Sequence, residues 1–349
     1  MSWKNKLLLA CAKAFRSPPN PQAHRFLLVA TTALGDTLWS TPAIKSLRCS
    51  FPKAYIHILT SSIGEQVLRH NPWSNQITVL EKWLPAFQSL KRERFDTVIL
   101  LHASQRQILP LCSALGASRL IGTIGINKGL DSLFTDPVNN RHKHEIVRRL
   151  ELIERAGAKR YTEQLSFFLQ PYEEIPPFPS QTVALHPGSK DGFKRWPAEH
   201  FISVGKQLTA FGYSIVITGN GEEEPLMKQI ASHIPRASLI DPTLSLRNFA
   251  ARLKRVSLLI SNDTGPVHLA CALQTPVIAL YSSTDPALCG PHRAENAIAL
   301  SKRACCTPCL KRACLRPFCL LQIGPEEVVN KAIDLLKNSV CTILSPSPT

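Results

Sequence analysis

Nowhere does the chain reach the ~20 consecutive apolar residues that a membrane-spanning helix needs, which excludes a helical transmembrane protein and leaves a soluble or peripheral one as the expectation. Acidic residues are scarce: 25 aspartates and glutamates face 41 lysines and arginines, a net charge of +16. Such an excess favours polyanionic partners, whether nucleic acid, anionic lipid, or phosphorylated and carboxylated substrates. An aromatic-rich RNA-binding signature is missing and the positive charge is spread over the whole chain, so a nucleic-acid partner is not expected. Histidine is absent from the one cysteine cluster, Cys305, Cys306, Cys309, Cys314 and Cys319, and its spacings are not those of a common zinc finger. The chain has 11 cysteines in 349 residues, most of the others scattered, which reads as a reducing compartment and not as a disulfide scaffold.

What is present is a globular profile, 44% hydrophobic and 19% charged, in a chain long enough for two separate cores. Residues 1–24 form a basic segment. Lys4 and Lys6 precede a short apolar run from Leu7 to Ala12, and Lys13 and Arg16 follow at once, a pattern too short for a secretory signal. On a helix Trp3, Leu7, Cys11, Ala14 and Phe15 would share a face, as in an interfacial anchor. A frayed terminus tethered by Pro18-Pro19-Asn20-Pro21 accounts for the segment equally well.

From Arg25 onward strands and helices alternate. Apolar strands are expected at 26–30, 55–59 and 97–101, with a helix over 36–48; continuous apolar runs of this kind indicate a parallel sheet covered on both faces. Prolines across 171–180 exclude helix and central strand and mark a linker after a first domain at 25–170. The alternation restarts with strands at 182–185 and 213–218 around a helix at 198–211, which carries Pro197 at its start and Gly212 just past its end. Strands at 257–261 and 276–280 flank a helix at 266–273, and a final amphipathic helix covers 326–336. The expected fold is therefore α/β: two Rossmann-like, doubly wound parallel-sheet domains, 25–170 and 181–338, facing a cleft, with a cysteine-rich loop at 305–319 and a tail at 339–349. Ligands of such sheets sit at the carboxyl ends of the strands.

The sequence motifs fall at those ends. In Ser261-Asn262-Asp263-Thr264-Gly265-Pro266-Val267-His268-Leu269-Ala270 a strand turns into a helix. Gly265 permits close backbone approach, Pro266 needs no donor in the first turn, and the remaining N–H groups can bind a phosphate. An N-cap at Asp263 or Thr264 that merely starts the helix explains the same residues. In His186-Pro187-Gly188-Ser189-Lys190-Asp191-Gly192-Phe193-Lys194-Arg195-Trp196-Pro197, Gly188 and Gly192 permit unusual backbone angles, Ser189 can bond a phosphate, and Lys190, Lys194 and Arg195 supply charge suited to a pyrophosphate. A solvated basic loop is the plainer reading. Ala33-Leu34-Gly35-Asp36-Thr37 follows the first strand: Gly35 marks a tight turn, and Asp36, at a helix start whose dipole favours an ionised carboxylate, can accept a hydroxyl proton or simply cap the helix. In Thr218-Gly219-Asn220-Gly221-Glu222-Glu223-Glu224 one glutamate could accept both ribose hydroxyls of a nucleotide, or all three could form a solvated first turn.

These four segments, in this order and spacing, resemble glycosyltransferase family 9, which contains the lipopolysaccharide heptosyltransferases, over nearly all of residues 25–338. The resemblance implies a GT-B fold with an amino-terminal acceptor domain and a carboxy-terminal ADP-sugar domain. It also implies inverting transfer with no cofactor and no essential metal, so that no metal-binding aspartate pair is needed. By position Asp36 corresponds to the base, Ser189 and Lys194 to ligands of the donor phosphates, and Glu223 to the ribose ligand, with Glu222 and Glu224 fitting almost as well. Asp263, Thr264, Gly265 and His268 complete the donor pocket. The implied partners are an ADP-sugar, an anionic lipid-linked oligosaccharide acceptor and the inner face of the inner membrane, with the protein cytoplasmic and peripheral there. A transferase with another nucleotide-sugar donor would keep the same phosphate loops, and a GT-B-like sugar-nucleotide epimerase would have the same two halves but isomerise its donor without an acceptor. For the cysteine-rich loop the resemblance favours a structural role over a metal.

Overall fold

Each half of the chain is assembled from short buried strands that zip in parallel beneath amphipathic helices. The computed structural model describes residues 25–102, 108–173, 175–178, 181–282, 284–302, 314 and 317–344. The expectations for residues 1–24, for Cys305, Cys306 and Cys309, and for the last five residues lie outside them. The chain divides between Phe168 and Leu169 into two units, just ahead of the proline-rich segment.

The first unit has strands β1 (Arg25–Ala30), β2 (Tyr55–Thr60), β3 (Gln76–Val79), β4 (Thr97–Leu100), β5 (Arg119–Thr123) and β6 (Asp136–Val138), and helices α1 (Leu34–Ser50), α2 (Ser62–Leu68), α3 (Trp83–Arg92), α4 (Ile108–Ala114) and α5 (Glu145–Arg155). The strands pair in the order β3-β2-β1-β4-β5-β6. In β1, Leu28 registers with Ile58 on one side and Ile99 on the other, so this central strand is closed to water on both edges. Leu27, Val29, Val98 and Leu100 enter a core completed by Leu109, Leu133 and Phe134. Pro42 interrupts α1 and removes the N–H that would bond the Leu38 carbonyl. The Thr41 hydroxyl donates to that carbonyl instead, at 2.8 Å.

The second unit repeats the plan with β7 (Thr182–His186), β8 (Ser214–Ile217), β9 (Ser238–Leu239), β10 (Leu258–Asn262), β11 (Val277–Tyr281) and β12 (Ala297–Ser301). Its helices are α6 (Ala198–Ala210), α7 (Glu224–Ser232), α8 (Leu246–Leu253), α9 (Gly265–Leu273), α10 (Pro286–Cys289), α11 (Phe318–Leu321) and α12 (Pro325–Leu344). The order is β12-β11-β10-β7-β8-β9. In both units the first strand stands at the centre and the chain winds outward first on one side, then on the other, which leaves a crevice at the carboxyl ends of β1 and β4 and of β7 and β10. Phe201, Val204 and Leu208 turn one face of α6 into the core, and Gly212 follows at φ +91. Trp196 is buried there as well: its indole donates to the Ile323 carbonyl at 3.0 Å and its ring meets Phe201 edge-on at 5.0 Å.

Candidate functional site

In the second unit, the two loops that leave the carboxyl ends of β7 and β10 are drawn together by one side chain. Asn262, fully buried at the end of β10, donates its amide to the Pro187 carbonyl at 2.8 Å and accepts the Trp196 N–H at 3.0 Å. It thereby ties both ends of the loop after β7 to the start of the loop after β10. Within that first loop the Arg195 Nε donates to the Ser189 carbonyl at 2.8 Å. Arg195, itself exposed, thereby bridges the two ends of the loop, and Ser189 is buried.

Lys194 closes a short 3₁₀ turn, Gly192–Lys194, and its ammonium lies 2.6 Å from the Asp263 carboxylate, with the lysine side chain 20% and the aspartate 9% exposed. The acid holds the cation at the entrance of α9. Thr264 occupies the N-cap of that helix without capping it by its side chain; its hydroxyl donates to the Asn262 carbonyl at 3.1 Å. The alternative of a plain side-chain cap is therefore not what the structure holds, and the first-turn amides at Gly265 are left to a ligand or water. Pro266 follows at the first turn. His268 is buried one turn into the helix. Near Asp263, Tyr281 is fully buried; burial first, then the neighbouring carboxylate, pushes its hydroxyl pKa up.

The three consecutive glutamates after β8 part company. Glu222 is exposed, and Glu224 pairs with Lys228 on the surface of α7 at 2.8 Å. Glu223 alone turns inward, 6% exposed, where its Oε2 accepts the Asn220 N–H at 3.0 Å while the Asn220 side chain accepts the Glu223 N–H at 3.1 Å. This reciprocal capping box fixes the carboxylate against two glycines. A Cβ on Gly188 would come within 2.1 Å of that carboxyl group, and one on Gly219 within 3.1 Å. The expectation of unusual backbone angles at Gly188 and Gly192 is thus corrected: neither takes a positive φ, and what Gly188 supplies is room. Gly192 faces open space. Also, Gly35 does not form a tight turn but lies in the first turn of α1.

In the first unit, Asp36 stands in the first turn of α1, where Ala33 is the N-cap and offers no side chain to the helix amides. Asp36 is not the cap. Its Oδ1 accepts a hydrogen bond at 2.8 Å from Nη2 of Arg149 on α5, a guanidinium with no exposed surface, while the Asp36 side chain is 30% exposed. Arg149 and Asn262 carry this architecture and were not singled out in the sequence. Arg149 is preceded by Arg148 in a charged helix and gives no signal; Asn262 stands inside the quoted motif, where its partners 66 and 75 residues away were invisible.

The sequence model of glycosyltransferase family 9 (heptosyltransferase) matches residues 83–318. A lipooligosaccharide heptosyltransferase 2 of Campylobacter jejuni is 25% identical over 324 residues, spanning 88% of this chain and 97% of its own length. Among solved structures, a family 9 glycosyl transferase of Veillonella parvula superposes with a TM-score of 0.79 at 22% identity, covering 92% of this chain and all of its own. The Escherichia coli ADP-heptose lps heptosyltransferase II superposes with a TM-score of 0.75 at 19% identity over 90% of this chain and 99% of its own.

Proposed function

This chain belongs to glycosyltransferase family 9, and we propose that it moves a heptose, with inversion, from an ADP-heptose donor to the inner core of lipopolysaccharide. The observation that carries the reading is the Lys194 ammonium held 2.6 Å from Asp263 beside the side-chain-uncapped start of α9. A fixed cation and a helix terminus side by side suit a diphosphate whose negative charge grows as it departs.

In this reading Ser189, Lys194, Thr264 and Gly265 hold the donor phosphates, with Asp263 orienting Lys194. Glu223 is the acid that receives the ribose hydroxyls, since it alone of the three is turned against Gly188. His268 completes the pocket. Asp36 takes the proton of an acceptor hydroxyl as the oxygen forms its bond to the anomeric carbon; the bond from that carbon to the ADP oxygen breaks and its electron pair leaves with ADP. Lys194 and the α9 terminus stabilise that charge in the transition state more than in the ground state, which is what accelerates the step. Charge compensation of this kind supports transfer without an essential metal.

Among the described residues no helix is long and apolar enough to cross a membrane. The reading places the protein at the cytoplasmic surface of the inner membrane, where a net charge of +16 would meet anionic lipid and the phosphates and carboxylates of the acceptor.

The test is calorimetric titration with ADP, UDP and GDP in a chelating buffer, followed by assay of ADP release from ADP-heptose with and without lipid acceptor. Selective ADP binding and acceptor-dependent release are expected. A preference for UDP, or donor turnover without acceptor, would overturn the donor or the transferase assignment respectively; a rate that collapses in chelator would overturn metal independence.

A further inference from the structure

Buried arginines demand carboxylates, and the way Arg149 satisfies that demand bears on the chemistry. Its Nε donates to the Ser40 hydroxyl at 3.2 Å, Nη1 to the Glu145 carbonyl at 2.9 Å and to the Glu145 carboxylate, and Nη2 to Asp36 Oδ1 at 2.8 Å; Trp39 lies against the guanidinium, 5.4 Å from its ring centre. Arg148 pairs with the same Glu145 at 2.6 Å. Two cations therefore meet one carboxylate on α5, and Asp36, 113 residues away on α1, supplies the second. The four groups balance in charge only with Asp36 included. The planar fork is fixed by its contacts with its own helix and with Ser40, so the N–H that reaches Asp36 has a direction set by packing.

We propose that Arg149 is the positioning residue of the transfer: by gripping Oδ1 it fixes the Asp36 carboxylate so that Oδ2 is the atom that receives the acceptor proton. This rests on Asp36 acting as the base. Asp36 keeps 30% of its side chain exposed while Arg149 has none, so the arginine works from the protein side and leaves the solvent side to the acceptor. A glutamine at 149 lacks the charge and the fork, and the carboxylate would lose its fixed direction. A lysine keeps the charge as a single point without the planar geometry.

The experiment is a double-mutant cycle on kcat and on donor KM with Arg149→Gln, Arg149→Lys, Asp36→Asn and the Asp36→Asn/Arg149→Gln pair, each checked by thermal melting. We expect Arg149→Gln to lower kcat by about 100-fold, the scale of a small misplacement of a reacting group, with donor KM unchanged. Arg149→Lys should recover about 10-fold of that loss by retaining the charge. In the Asp36→Asn background, Arg149→Gln should cost nothing more, because there is no base left to position. Equal losses in both backgrounds, or an unchanged kcat in Arg149→Lys, would overturn the positioning role while leaving the base intact. Should Arg149→Gln fail to fold, the lysine variant decides, by a kcat fall of about 10-fold at constant donor KM. Full activity of Asp36→Asn would instead remove the base assignment, and the positioning role with it.

Discussion

Replacing Asn262 by alanine should loosen the loops after β7 and β10 without unfolding the second unit. The side chain is fully buried and bonds two backbone groups, the Pro187 carbonyl at 2.8 Å and the Trp196 N–H at 3.0 Å, with the Gly188 carbonyl a longer third partner at 3.4 Å. Leaving a buried polar group without its partner costs about 1–3 kcal/mol, so two groups lose roughly 2–6 kcal/mol before relaxation and water entry recover part of it. A net loss of about 3 kcal/mol is the expectation, well within the roughly 5–15 kcal/mol by which domains are stable. Trp196 is the only tryptophan after residue 168, so its fluorescence during urea unfolding reports on the unit concerned. Calorimetric ADP affinity should fall at least about 10-fold, a displacement worth about 1.4 kcal/mol of binding energy. Asn262→Asp should do no better than alanine: one oxygen still accepts the Trp196 N–H, but the other then faces the Pro187 carbonyl with no hydrogen between them. An unfolding midpoint and an ADP affinity that both match the parent protein would refute the idea that this residue sets the loop geometry.

Four further outcomes are expected. Gly188→Ala, whose Cβ would fall 2.1 Å from the Glu223 carboxyl group, should displace that acid and weaken ADP binding about 10-fold; an unchanged affinity by calorimetry would remove Glu223 from the pocket. Lys194→Ala strips Asp263 of its ammonium and should lower donor affinity and kcat together, by about 10- to 100-fold, and unchanged steady-state kinetics would exclude the lysine. Burial pushes the His186 imidazole pKa down from 6.5 to about 4. The unfolded chain therefore binds that proton first, and stability falls by about 3 kcal/mol as pH drops from near 6.5 to near 4; a urea midpoint with the same slope in His186→Asn would refute it. Gln274 ends α9 at φ +61, so Gln274→Gly should raise stability by about 0.5–1 kcal/mol, read as an upward shift in melting temperature with no change in activity.

Much of the architecture was legible because it rests on local rules. Continuous apolar runs announced β1, β2, β4, β7, β8, β10 and β11, because strands buried on both faces tolerate no polar alternation. Pro197 and Gly212 bracket α6 almost to the residue for steric reasons that operate wherever the helix lies. The reading left out β3, β5, β6, β9 and β12: in β6, Asp136-Pro137-Val138 carries a proline, and so short an edge strand exists only because a neighbour offers its edge. Along β6, Pro137 registers with Gly122 at the sheet margin, where no ladder N–H is required of it.

For the candidate site the division is sharper. Composition and spacing determined that the motif-bearing loops follow the strands, that Asp36 opens a helix, and that Lys194 and Asp263 belong to loops of one sheet, since each loop's residues are adjacent in the chain. Only the tertiary structure decided which of Glu222, Glu223 and Glu224 turns inward, because that depends on a hollow left by Gly188 on another strand's loop. It likewise decided that Asn262 ties the loop after β7 to the start of the loop after β10, and that Arg149 reaches Asp36 from 113 residues away. A hydrogen bond across such a separation has no local signature: the chain carries both partners, but the pairing comes from the packing of α5 against α1.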